Sequence, residues 1–242
     1  MKKTIFLTAL LASTAVSASG GGHWGYAGAE GPDNWARLSP DYSACAGKNQ
    51  SPINLTGFIE AELEPIKFDY KTGGNEILNN GHTVQVNYAK GSSIQVDGRT
   101  FNLLQFHFHA PSENHIKGKS YPLEAHLVHA DQDGNLAVVA LMFTEGAENK
   151  GLAKAWSQMP QHAGDKHALS SSVDVNEILP SNRDYYRFNG SLTTPPCSEG
   201  VRWLVLKEVA TASKAQIEAF AHTLHHPNNR PLQAVNARPV LQ

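Results

Sequence analysis

The sequence predicts a mainly β fold of the α+β type, a single domain around a large twisted, mostly antiparallel sheet with short peripheral helices. Three observations lead there. Short strand-like runs recur along the middle of the chain and are punctuated by turn dipeptides. Helical periodicity is confined to two short stretches. No Pro/Ser-rich linker, charge block or internal repeat divides the 242 residues.

Strands are expected at residues 66–70, 82–88, 93–96, 102–109, 123–129, 136–143 and 202–209. Asn80-Gly81, Asp97-Gly98 and Asp133-Gly134 fall between several of them and supply residues that tolerate tight-turn geometry. Residues 136–141 are apolar without alternation, as expected of a central strand covered on both faces. A helix is expected where Ser213 and Gln216 make a capping box ahead of an apolar stripe of Ile217, Phe220 and Leu224. A weaker helical pattern runs through residues 151–158.

Lys2, Lys3, an apolar run over residues 5–16 and the small residues Ser17-Ala18-Ser19 read as a cleaved secretory signal ending near Ala18. Residues 1–18 are therefore set aside as a signal peptide, and residues 19–242 are expected to form the domain. The apolar run is shorter than the roughly 20 residues a transmembrane helix needs, and no later segment approaches that length, so no membrane insertion is expected. An exported protein follows, periplasmic or secreted. With 20 basic and 22 acidic residues the net charge is −2, which leaves no electrostatic footprint for nucleic acid or an anionic membrane. Small neutral partners suit it better. The two cysteines, Cys45 and Cys197, read as a disulfide in an exported chain; no local signature supports a cysteine nucleophile.

The most informative stretch is Gln105-Phe106-His107-Phe108-His109. Alternate strand residues point to one side, so His107 and His109 share a face while Phe106 and Phe108 turn into the core. His126 follows in a second strand-like run, Leu123-Glu124-Ala125-His126-Leu127-Val128-His129, and the intervening loop is long enough to bring it alongside. Three neutral imidazoles suit Zn²⁺, filling three tetrahedral positions and leaving the fourth for water. Gln105 and Glu124 each precede a histidine by two residues, share its face, and are placed to accept its second N–H. His129 falls on the opposite face, where a hydrogen-bonded structural role is expected. His222, His225 and His226 have the spacing of a second metal cluster, but they end a helix, where the dipole favours imidazolium.

With these residues in view, the chain resembles the α-class carbonic anhydrases of the bacterial exported type. The similarity runs in order through His23-Trp24-Gly25-Tyr26, Gln50-Ser51-Pro52-Ile53-Asn54, Asn79-Asn80-Gly81-His82, residues 105–109, Ser112-Glu113 and Glu124-Ala125-His126-Leu127-Val128-His129. It continues through Ser191-Leu192-Thr193-Thr194-Pro195-Pro196 and Asn229-Arg230-Pro231. Any one block is a weak signal; the ordered set is specific.

The resemblance implies that His107, His109 and His126 hold Zn²⁺, with Gln105 and Glu124 behind them. It implies that Thr193 accepts a hydrogen bond from zinc-bound hydroxide and gives its own proton to Glu113, so that one oxygen lone pair is aimed at the substrate. It further implies that Val128, Val138, Leu192 and Trp203, with Thr193 and Thr194 beside them, line the substrate site, and that His82 shuttles protons. Asn114 departs from the family, which often has histidine there, so the support of that loop is expected to differ. The implied activity is reversible hydration of carbon dioxide to bicarbonate, with water as co-substrate. Two other classes stand against it: a carbonic-anhydrase-like binding domain without catalysis, which loss of a zinc histidine would mark, and a zinc esterase or peptidase, for which His-Glu-x-x-His is absent.

Overall fold

The computed structural model describes residues 22–71 and 73–242; the expected signal peptide lies outside them. In chain order the strands are β1 (Asn54–Leu55), β2 (Lys67–Asp69), β3 (Gly74–Asn79), β4 (Val84–Tyr88), β5 (Ser93–Val96), β6 (Arg99–His109) and β7 (His115–Ile116). They continue as β8 (Leu123–Ala130), β9 (Leu136–Glu145), β10 (Lys166–Val173), β11 (Tyr185–Ser191), β12 (Glu199–Leu206) and β13 (Ala210–Ala212). The α-helices are short: α1 (Trp35–Leu38), α2 (Lys150–Trp156) and α3 (Lys214–Leu224).

Eleven strands form one sheet, whose main path runs β10-β3-β4-β6-β8-β9-β12-β11. Its pairings are antiparallel except where β9 meets β12 and β13, and the small β1–β7 pair is also parallel. The expected mostly antiparallel sheet with small helices is the observed architecture. β9 sits inside it, buried from Ala137 to Phe143, which accounts for its unbroken apolar run.

Strand alternation splits the core into two layers. Phe106, Phe108, Ala125, Leu127, Val139, Leu141 and Leu204 point to the back, where α2 and α3 cover them. Phe108 meets Trp156 and Phe220 edge-on at centroid distances of 4.8 and 6.0 Å, and full burial of each such ring is worth about 1.5–3 kcal/mol. Val128, Val138, Ala140 and Trp203 point to the front. The ligand candidates of β6 and β8 belong to this front face.

The α3 capping box forms as read: Ser213 Oγ accepts from the Gln216 N–H at 3.2 Å, and Gln216 Oε1 accepts from the Ser213 N–H at 3.0 Å. Gln216 also exchanges two hydrogen bonds with the Asn149 backbone, tying the starts of α2 and α3 together.

Three long strands were not expected. β10 is a serine-rich edge strand, exposed along most of its length, and so carries no apolar alternation. β3 opens on Gly74, Asn75 and Glu76, and β11 is interrupted by Arg187, Asn189 and Gly190; both are recruited by pairing with neighbours. β4 begins at Val84, two residues later than expected, which leaves His82 in the preceding turn.

Candidate active site and metal centre

Pairing of β6 with β8 puts His107 directly opposite His126, and strand alternation places His109 on the same face. Ring centroids of the three histidines lie 4.6–5.3 Å apart, and one nitrogen from each falls within 4.8 Å of the other two. Among the described residues this is the one group of three or more His, Cys, Asp or Glu side chains placed to share an ion.

Each ring is held from behind. The Nδ1–H of His107 donates to Gln105 Oε1 at 2.8 Å, and the Nε2–H of His126 to Glu124 Oε1 at 2.8 Å. His109 uses its Nδ1–H on the main-chain carbonyl of Asn228 at 2.7 Å. Each acceptor fixes a tautomer, so His107 and His109 present Nε2 lone pairs to the centre and His126 presents Nδ1. Burial lowers the pKa of all three, well below the usual imidazole value for His107 and His126, with neighbouring imidazoles adding to it there. Neutral imidazole is the form that ligates.

Glu113 is buried at the floor of this centre. Its Oε1 accepts from the Arg230 main-chain N–H at 2.8 Å. Its Oε2 has no hydrogen-bond partner and stands 3.5 Å from His109 Nε2, which has none either. With His109 donating elsewhere, its buried Nε2 lone pair faces the centre without a partner, and a cation shared with the other two imidazoles would satisfy it. The residues present therefore fit a divalent ion. Burial pushes the Glu113 carboxyl well above the usual range, while the Arg230 N–H and the Thr193 side chain draw it back.

The apolar candidates lie beside the triad. Val128 pairs with Val138 across β8 and β9, Val138 pairs with Trp203 across β9 and β12, and the Trp203 ring lies 4.9 Å from that of His126. Leu192 packs on the same cluster, half-buried. Thr193 and Thr194 follow in the turn after β11, where the Thr194 carbonyl accepts from the Cys197 N–H at 2.9 Å. Cys197 is joined to Cys45, so the disulfide closes directly onto this turn.

His82 lies outside the three-histidine group. Its ring stacks on Trp24, with centroids 3.7 Å apart, and its main-chain carbonyl accepts from Asn228 Nδ2 at 2.9 Å. Its pKa is lowered by burial first, then by His226 and His23.

The remaining histidines fall elsewhere. His129 points to the opposite face, against the Tyr70 hydroxyl at 2.8 Å. His222 and His225 lie with centroids 5.5 Å apart, whereas His226 turns to Tyr26 and donates to the Pro227 carbonyl, so the three do not converge.

Sequence reasoning missed Asn228. It contributes a main-chain carbonyl to His109 from 119 residues away, and its one signal was adjacency to the Asn229-Arg230-Pro231 block. The buried Tyr26 hydroxyl and the Trp24 ring were likewise legible only as part of a family motif.

Residues 30–242 match the model of the eukaryotic-type carbonic anhydrases. The chain belongs to that family. It is 50% identical over 239 residues to a carbonic anhydrase of Pectobacterium atrosepticum, an alignment covering 98% of each chain. A carbonic anhydrase of Neisseria gonorrhoeae is 48% identical, with 96% of this chain and 94% of that one covered. Among solved structures, the α-carbonic anhydrase of Thermovibrio ammonificans in complex with sulfanilamide superposes with a TM-score of 0.91 at 49% identity, covering 92% of this chain and 100% of that one. The chain is thus an enzyme of the carbonic anhydrase family.

Proposed function

We propose that this carbonic anhydrase hydrates carbon dioxide reversibly to bicarbonate and a proton at a zinc centre held by His107, His109 and His126. The observation that carries this is the set of three imidazoles whose outer nitrogens are all engaged, by Gln105, Asn228 and Glu124, so that three lone pairs face one point. Zinc bound there supplies Lewis acidity that makes hydroxide available near neutral pH.

The protein's own groups do the rest. Thr193 gives its proton to Glu113 and therefore can only accept from the attacking hydroxyl, which orients that oxygen's lone pair toward the substrate. A divalent cation beside Glu113 favours the charged carboxylate that this arrangement needs. Val128, Val138, Leu192 and Trp203 give carbon dioxide a water-poor surface, with Thr194 at its edge; a linear, uncharged substrate needs no hydrogen bond to be held. His82 takes up the released proton and passes it to buffer, because imidazole is a far better acceptor than water.

We also infer export to the periplasm or beyond, supported by the basic, apolar and small-residue pattern of residues 1–18 and by the Cys45–Cys197 bond. Replacing each zinc-site histidine by Ala tests the central reading. Metal content and hydration should fall together in each variant, and wild-type zinc stoichiometry in all three would overturn it.

A further inference from the structure

One buried amide outside the ligand set is tied directly to the candidate metal centre. Asn114 is fully buried and bridges the Ile53 main chain, 61 residues away, to Glu124 on β8. Its Oδ1 accepts from the Ile53 N–H at 3.2 Å, its Nδ2 donates to Glu124 Oε1 at 2.8 Å, and its main-chain carbonyl accepts from Ser112 Oγ at 2.9 Å. Because one end of the amide is committed to a donor and the other to an acceptor, it cannot flip without losing both bonds.

Glu124 is fully buried as well. Its Oε2 takes the main-chain N–H groups of Glu113 and Asn114 at 2.7 and 2.9 Å. Its Oε1 takes two more hydrogens, from Asn114 Nδ2 and from His126 Nε2–H, each at 2.8 Å. Four N–H groups thus surround one carboxylate, and two share the oxygen that orients a metal-site histidine. Asn114 is the one side chain in that set besides His126, and so the one that substitution can remove without touching a ligand candidate.

From this geometry we infer that Asn114 is a positioning residue for the metal centre: it fixes the Glu124 carboxylate so that His126 is held with Nδ1 facing the other two imidazoles. The inference rests on the proposed zinc-site reading and adds a residue outside it. Without the Asn114 amide, Glu124 Oε1 keeps a single partner and the Ile53 N–H loses its acceptor. The carboxylate then gains freedom to turn, and His126 with it. Outer partners of metal-ligating histidines commonly change metal affinity by about 10- to 100-fold. Asn114 acts one contact further out, which points to the lower end of that range.

The test measures the rate at which zinc leaves the zinc-loaded protein to a chelator, for wild type, Asn114→Leu and Asn114→His. Asn114→Leu fills similar space without a donor and should release zinc about tenfold faster. Asn114→His restores an N–H able to reach Glu124 and should return the rate toward wild type, a rescue that simple loss of packing would not produce. The visible spectrum of the cobalt(II)-substituted protein should change in the Leu variant and recover in the His variant. If Asn114→Leu does not fold, Asn114→Ala removes the same donor with less bulk and carries the same expectation. A release rate within about twofold of wild type in a folded variant lacking the donor, or equal rates for the Leu and His variants, would overturn the inference. A wild-type protein that holds no zinc at His107, His109 and His126 would instead overturn the zinc-site reading itself.

Discussion

The indole of Trp24 lies flat against the imidazole of His82, with planes 10° apart. The contact holds the proposed proton acceptor half-buried. Burial, with His226 and His23 nearby, lowers its pKa below the 6.5 of a free imidazole.

A shuttle must be neutral to accept a proton, so a depressed pKa keeps His82 competent to lower pH. In dilute buffer, kcat should therefore hold on acidification until pH falls below 6.5. His82→Ala should lower kcat in dilute buffer far more than kcat/KM, and added imidazole should restore it. An unchanged kcat in dilute buffer would remove His82 from the proton path.

Thr193→Ala should retain one zinc per chain yet lose hydration activity, because Thr193 orients the reacting oxygen without holding the metal. The loss expected for one preorganised active-site hydrogen bond is about 2–4 kcal/mol in the barrier. Stopped-flow hydration with metal analysis on the same sample checks both halves. Full activity in the variant would contradict the role given to the Glu113–Thr193 pair.

His129 predicts an acid-sensitive fold. It is fully buried, and burial lowers its pKa from 6.5 to about 4. The unfolded chain therefore binds a proton at a pH where the folded one does not, so stability from this group is present above 6.5 and is lost as pH falls from 6.5 toward 4. The full effect is about 3 kcal/mol. Denaturant unfolding at several pH values should show a flatter pH dependence in His129→Gln than in wild type, and equal slopes would count against it.

Cys45 and Cys197 are 152 residues apart in sequence, and the bond constrains a long stretch of unfolded chain. Reduction, or the Cys45→Ser/Cys197→Ser double variant, should cost about 2–4 kcal/mol of stability. Protein taken from the exported fraction should begin after Ala18 and carry no free thiol. Two free thiols in that fraction would contradict the Cys45–Cys197 bond and the stabilisation assigned to it.

How much of the site was legible depended on whether a contact is local. His107, His109, Gln105, His126 and Glu124 are related by strand spacing of two, so a face shared in sequence became a face shared in space. Convergence of the two strands then followed from pairing His107 with His126. The Asn228 carbonyl was invisible because any residue has one, and chain reversal after α3 brings it to His109. Asn114 could be flagged as unusual, but its bond to Glu124 depends on a loop between β6 and β8. The same division holds for the fold: apolar β9 and alternating β4 announced themselves, while polar β10 is a strand only because β3 offers it partners.

The most direct measurement titrates zinc into metal-free protein while following carbon dioxide hydration by stopped flow. Activity should rise in proportion to bound zinc and level off at one ion per chain, with His109→Ala failing to gain it. Hydration by the metal-free protein, or one tightly bound zinc per chain with no hydration, would contradict the account.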